Sequence, residues 1–141
     1  MGNMNASIRK INFEDMKSAI QHSEKYVIIN TMDKDEQDCL ILQTVSYQDE
    51  ERIINAYLQK KNMAIRIIIY GKNSNDETIY KKYNQIQALG FYNIFLYTGG
   101  ILEWLMLQDI FGIDEFPTTK RQLDFIKYRS PQILNIELLE Y

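Results

Sequence analysis

Short apolar runs alternate with amphipathic stretches along most of the chain. Tyr26-Val27-Ile28-Ile29-Asn30 and Ile65 to Tyr70 are compact apolar runs of strand length, the form taken by parallel strands covered on both faces. Ser7 to Ile11 and Ile94 to Tyr97 read as two further strands, and Cys39 to Val45 as a short strand or irregular core segment. Helical spacings fall between these runs. Asn12, with Asp15 three residues on, is a cap for a helix whose stripe is Phe13, Met16 and Ile20. Ser46 caps a helix with Asp49, Glu50 and Glu51 in its first turn, where the helix dipole favours negative charge. Its buried stripe is Ile53, Ile54, Tyr57 and Leu58. A third helix runs from Asp76 to Leu89 on Ile79, Tyr83 and Ile86, and Gly90 is its left-handed stop. Gly99-Gly100 turns the chain into a fourth helix that ends near Gly112, with Leu102, Leu105, Met106 and Ile110 apolar. Thr118 or Thr119 caps a last short helix through Phe125 and Ile126.

This alternation predicts an α/β fold, with a mostly parallel central sheet flanked by helices on both faces. Ligand sites in such sheets form beyond the carboxyl ends of the strands. The polar loop Gly71 to Asn75 leaves the clearest central strand at that edge and leads directly into a helix.

The segment Ile67-Ile68-Ile69-Tyr70-Gly71-Lys72-Asn73-Ser74-Asn75-Asp76-Glu77-Thr78, followed by Leu89-Gly90-Phe91 and then Tyr97-Thr98-Gly99-Gly100-Ile101-Leu102-Glu103-Trp104, resembles the rhodanese-like (sulfurtransferase) domain. The resemblance covers about Ile8 to Ile113 and is strongest from Ile67 to Trp104. It implies a rhodanese-like domain over residues 1–117, and residues 118–141 as a helical or extended addition packed on the domain or on a partner. In active members the residue after the strand is a cysteine that carries sulfane sulfur, and here that position is Gly71. An acidic–arginine pair, frequent in the family, would fall at Asn30 to Met32, and a frequent histidine near Cys39; neither is present.

Read as chemistry, the loop has no thiolate to take up sulfur. Ser74 is no substitute, because a hydroxyl without a base is a poor nucleophile and cannot hold a persulfide. Lys72 is the only loop cation. Asp76 and Glu77 stabilise the helix start but compete with any external anion for the same backbone N–H groups. The expected site is therefore a degenerate loop of Gly71, Lys72, Asn73, Ser74, Asn75 and Asp76, with Gly99, Gly100 and Glu103 as nearby binding positions.

Composition narrows the classes. The chain has 141 residues, 45% of them hydrophobic and 25% charged, with a net charge of −3. That fits one ordinary globular domain and lacks the basic stripe of a nucleic-acid binder. A single cysteine permits no internal disulfide, and a reducing, cytoplasmic setting follows. No apolar stretch is long enough for a membrane span, and the first residues hold no signal-peptide core. Ala6 sits where an N-myristoylation motif wants a hydroxyl residue.

Other chemistry-bearing residues have plain structural readings. Cys39 beside Leu40, Ile41 and Leu42 is a small buried hydrophobe, or else a relocated sulfur carrier. His22, the only histidine, suits a helix end. Asp33, Asp35, Glu36 and Asp38 form a solvated acidic loop without the pattern of a calcium site. Trp104 is a core anchor. Leu134, Ile136 and Leu138 alternate with Asn135 and Glu137 as in a strand. That tail is an arm on its own domain, an addition to a partner's sheet, or a swapped element of a homodimer.

The expectation is a rhodanese-like domain without sulfurtransferase activity, serving as a protein-binding or regulatory module, with no cofactor and no metal. The partner would be a protein or a second copy of the chain, engaged through 131–141. The alternative is a small sulfurtransferase, or another enzyme, using Cys39 or the Gly71–Asn75 loop.

Overall fold

The computed structural model describes residues 7–134. Residues 1–6 and the tail residues beyond Leu134 lie outside these, so the N-terminal myristoylation reading and the predicted tail strand do too.

Five parallel strands form one sheet in the order β1-β5-β4-β2-β3. They are β1 (Arg9–Ile11), β2 (Tyr26–Asn30), β3 (Thr44–Val45), β4 (Arg66–Tyr70) and β5 (Ile94–Tyr97). Four helices connect and cover them: α1 (Phe13–Gln21), α2 (Tyr47–Gln59), α3 (Thr78–Ala88) and α4 (Gly100–Phe111). The α/β class, the parallel sheet and helices on both faces are as the sequence predicts.

Strand alternation divides the core into two layers. Ile28, Ile68, Tyr70 and Tyr97 point to one side and pack with Met16, Ala19, Ile101, Trp104, Leu105, Phe116 and Tyr128. Val27, Ile29, Ile67, Ile69 and Leu96 point to the other and pack with Ile54, Ile79, Ile86 and Phe91. Trp104 anchors the first layer: its indole N–H donates to the Pro117 carbonyl at 3.0 Å, and Tyr97 and Phe116 meet it edge-on.

The local signals hold where they are local. Asn12 and Asp15 form a reciprocal capping box at the start of α1. Gly90 has φ +111° after α3, a conformation that favours glycine. Other expectations need correction. Ser46 precedes α2, but its hydroxyl donates to the Asp49 carboxylate instead of capping a backbone N–H. The run Cys39 to Val45, by contrast, is as expected: an irregular buried segment at Cys39–Ile41, with a single antiparallel bridge from Ile41 to Thr118, and a short strand at Thr44–Val45. Neither Thr118 nor Thr119 caps a helix. The last turn is a 3-10 helix, Phe125–Tyr128, preceded by Asp124. The two threonine hydroxyls instead tie the chain back to the domain: Thr118 Oγ1 accepts from Gln108 Nε2, and Thr119 Oγ1 accepts from Leu40 N and donates to the Asp38 carbonyl. On α4 the buried residues are Ile101, Trp104, Leu105 and Gln108, while Met106 and Ile110 face outward.

Residues 118–130 thus lie along the domain, and Tyr128 is buried. Among the described residues no helix is long and apolar enough to cross a membrane.

Candidate functional site

β4 is the middle strand, and it delivers Gly71 to the carboxyl edge of the sheet. The loop from Gly71 to Glu77 folds back on itself. Asp76 is its organising residue. One carboxylate oxygen, Oδ2, accepts Lys72 N–H at 2.8 Å, and the other, Oδ1, accepts Thr78 N–H at 3.0 Å and the Thr78 hydroxyl. Asn75 N–H donates to the Asn73 side-chain oxygen at 2.9 Å, and Asp76 N–H to the Asn73 carbonyl at 3.2 Å. The loop's own oxygens therefore take up the N–H groups of Lys72, Asn75, Asp76 and Thr78.

A side chain at Gly71 would require the Asp76 carboxylate and the Thr31 hydroxyl to shift. A Cβ there would contact Asp76 Oδ2, and it would lie 2.8 Å from Asp76 Cγ and 2.9 Å from Thr31 Oγ1. Thr78 Oγ1 bonds Thr31 Oγ1 at 2.6 Å and closes that side.

Lys72 turns away from the loop interior. Its ammonium lies 3.1 Å from a Glu36 carboxylate oxygen and 3.8 Å from one of Asp33. The hydrogen bond to Glu36 is the main cause that raises its pKa above the ordinary lysine value. Asp33, Asp35 and Glu36 do cluster within 4.8 Å of one another, and Lys72 already sits beside two of them as counter-charge. The same acidic segment is positioned by a neutral pair at the end of β2: Asn30 and Gln37 exchange side-chain amide hydrogen bonds at 3.0 and 2.9 Å.

Gly100 brings the start of α4 against the loop. Its φ is +72°, and a Cβ there would lie 2.8 Å from Asn73 N, Gly71 O and Lys72 C. That approach lets Ile101 N–H and Leu102 N–H donate to the Gly71 and Lys72 carbonyls, both at 2.9 Å. The structure thus brings Gly71–Asp76 and Gly100 together. Gly99 and Glu103 lie nearby in a different role. The Tyr97 hydroxyl donates to Glu103 at 2.6 Å, and burial followed by this carboxylate raises the Tyr97 pKa. Ser74 is exposed beside a groove along α4.

Sequence reasoning missed the strap over the loop. Asn73 Nδ2 donates to the Tyr128 carbonyl at 2.8 Å, Ser130 Oγ donates to Asn73 Oδ1 at 3.0 Å, and Asn75 Nδ2 donates to Ser130 Oγ at 3.1 Å. The one signal was the pair of short amides, Asn73 and Asn75, on the loop.

Cys39 stands apart from the loop, between β2 and β3. It is buried, its thiol donates to the Lys120 carbonyl at 3.1 Å, and burial raises its pKa. His22 ends α1, with Nδ1 2.8 Å from the Ser18 carbonyl.

A parallel sheet covered by helices on both faces, with a tight loop leading from its central strand into a helix, defines the class of fold. The rhodanese-like domain model matches residues 12–107, more than half of the chain, and the chain belongs to that family. Solved structures agree on the fold. A yeast protein tyrosine phosphatase of the rhodanese family, Ygr203w, superposes with TM-score 0.61 at 16% identity, covering 86% of this chain and 97% of its own. The rhodanese-like domain of the Anabaena protein Alr3790 gives TM-score 0.57 at 20% identity, with coverages of 92% and 89%. BH2092 from Bacillus halodurans gives 0.58 at 18%, with 71% and 73%. Among curated protein sequences none matches the chain.

Proposed function

We propose that this chain is a rhodanese-like domain that performs no sulfur transfer and acts as a protein-binding or regulatory module. One observation carries the reading: the space a side chain at position 71 would need is filled by the Asp76 carboxylate. A persulfide carrier needs a thiolate in that space and free N–H groups around it. Here the residue is glycine, Asp76 is the resident anion, and Lys72 is engaged with Glu36. The phosphatase activity named for the yeast relative is disfavoured as well, because loop 71–77 holds neither a cysteine nor an arginine.

Cys39 is a poor substitute nucleophile. Its burial disfavours the thiolate, and its thiol proton already has an acceptor. A binding role draws support from the outward apolar residues of α4, where Met106, Ile110 and Phe111 are exposed. The test is a thiosulfate:cyanide sulfurtransferase assay on the wild-type chain and on Cys39→Ser. A rate equal to the uncatalysed blank in both supports the proposal. Turnover by wild type that disappears in Cys39→Ser makes Cys39 the sulfur carrier and overturns it.

A further inference from the structure

The outward face of α4 carries a largely apolar groove of about 340 Å³, lined by Leu102, Met106, Leu107 and Ile110 together with Ser74, Gly99 and Glu103. Met106 is 46% and Ile110 70% exposed, although both are large and apolar and sit on a helix whose other side is core. We propose that this groove is the seat of the chain's own C-terminal residues 135–141, bound in cis, with the exposed residues 131–134 as the linker that leads to it. The proposal does not depend on whether the loop is catalytic.

Three observations select this occupant. The strap is bonded to its own domain up to Ser130, whose hydroxyl bridges Asn73 and Asn75. Those two residues flank Ser74, which lines the groove. The chain is therefore held beside one end of the groove before the segment begins. Length also fits. Helix positions 99 to 110 span about 16 Å at roughly 1.5 Å per residue, and residues 135–141 reach about 23 Å at roughly 3.3 Å per residue when extended. Composition fits as well. In an extended arrangement of Asn135-Ile-Glu-Leu-Leu-Glu-Tyr141, Ile136 and Leu138 would share one side, with Glu140 at its far end, and Glu137 would fall on the other with Leu139 and Tyr141. That alternation sets aliphatic side chains against Leu102, Met106 and Ile110 and keeps Glu137 away from Glu103.

Tethering favours the same chain over a second copy. A short linker holds its segment at an effective concentration on the order of 1 mM, so a second copy competes only near that concentration. The segment then screens the face that a partner would use, and a partner must displace it.

The test is cysteine trapping in the full chain on a Cys39→Ser background, with Met106→Cys paired to Leu138→Cys. The control pairs Lys60→Cys, at the C-terminal cap of α2, the helix covering the opposite sheet face, with Leu138→Cys. At about 1 µM chain, the first pair should close an intramolecular disulfide on the order of 1,000 times faster than any intermolecular one, and well ahead of the control. A second arm compares wild type with a chain ending at Ser130: binding of an environment-sensitive apolar dye should rise on truncation. Covalent dimers instead of the internal crosslink would place the segment on a second copy and overturn the proposal. So would crosslinking no faster than in the control, or dye binding that truncation leaves unchanged.

Discussion

Replacing Asp76 by alanine removes the loop's resident anion, and the consequences can be sized. Its carboxylate accepts Lys72 N–H at 2.8 Å, Thr78 N–H at 3.0 Å and the Thr78 hydroxyl. Hydrogen bonds to a charged group contribute about 1.5–3 kcal/mol each in net terms, and exposure of Thr78 reduces its share by solvent screening. A loss of about 2–3 kcal/mol follows, or a fall in melting temperature of about 6–12 °C for a domain of this size. The variant also leaves N–H groups around an empty anion-sized space. Sulfate or thiosulfate should enter it and recover stability as ligand binding does, by about 1.4 kcal/mol at ten times the dissociation constant. The assay is urea unfolding of wild type and Asp76→Ala at matched ionic strength, in chloride and in sulfate. Comparison with wild type removes the general salting effect of sulfate. Asp76→Ala within about 0.5 kcal/mol of wild type, on the scale of an ordinary surface substitution, would refute the assigned role of the carboxylate. Sulfate stabilising both proteins equally would refute the vacated cradle.

Other expectations follow from the same geometry. Gly100→Ala combines a positive φ with backbone atoms at 2.8 Å from the new Cβ. It should cost about 3 kcal/mol or more by chemical denaturation, whereas a near-neutral variant would mean that α4 does not press on the loop. Burial raises the phenol pKa of Tyr70 and Tyr97, and that of Tyr128 from 10.0 to about 12. A raised folded-state value gives stability that is fully present below the unfolded value and lost as pH climbs through the folded one. Unfolding free energy should therefore hold to about pH 10 and decline toward pH 12; stability unchanged over that window would contradict it. Cys39 should react with a thiol reagent only at the rate of opening, far more slowly than in denaturant, because its thiol is buried and its pKa raised. Rapid labelling of the native chain would contradict this.

Legibility tracked the range of the interaction that fixes each element. β2 and β4 are readable because strands covered on both faces must be apolar throughout. The cap of α1 is readable because Asn12 and Asp15 satisfy one another within a single turn. Thr118 and Thr119 have the same residue chemistry, yet the Thr118 hydroxyl accepts from Gln108 on α4 and donates to the Lys120 carbonyl, while the Thr119 hydroxyl bonds Asp38 and Leu40, about eighty positions away. No local pattern records that choice. α4 is apolar nearly all round, so its sequence does not say that Met106 and Ile110 are the residues left outside. At the loop, residue types alone indicated a missing thiol and a competing carboxylate. That Asp76 occupies the space above Gly71, that Lys72 is drawn to Glu36, and that Ser130 roofs Asn73 all depend on contacts between separate segments.

The central claim is that the loop after β4 has its anion built in and transfers no sulfur. The most direct measurement is sulfane transfer from thiosulfate to cyanide by the wild-type chain, run beside Cys39→Ser and Gly71→Cys/Asp76→Ala. The account predicts that wild type and Cys39→Ser match the uncatalysed blank, and that only the double variant, with a thiol in the loop and the carboxylate removed, takes up sulfur as a persulfide detectable by mass. Turnover by the wild-type chain above the blank would contradict it, whichever residue carried the sulfur.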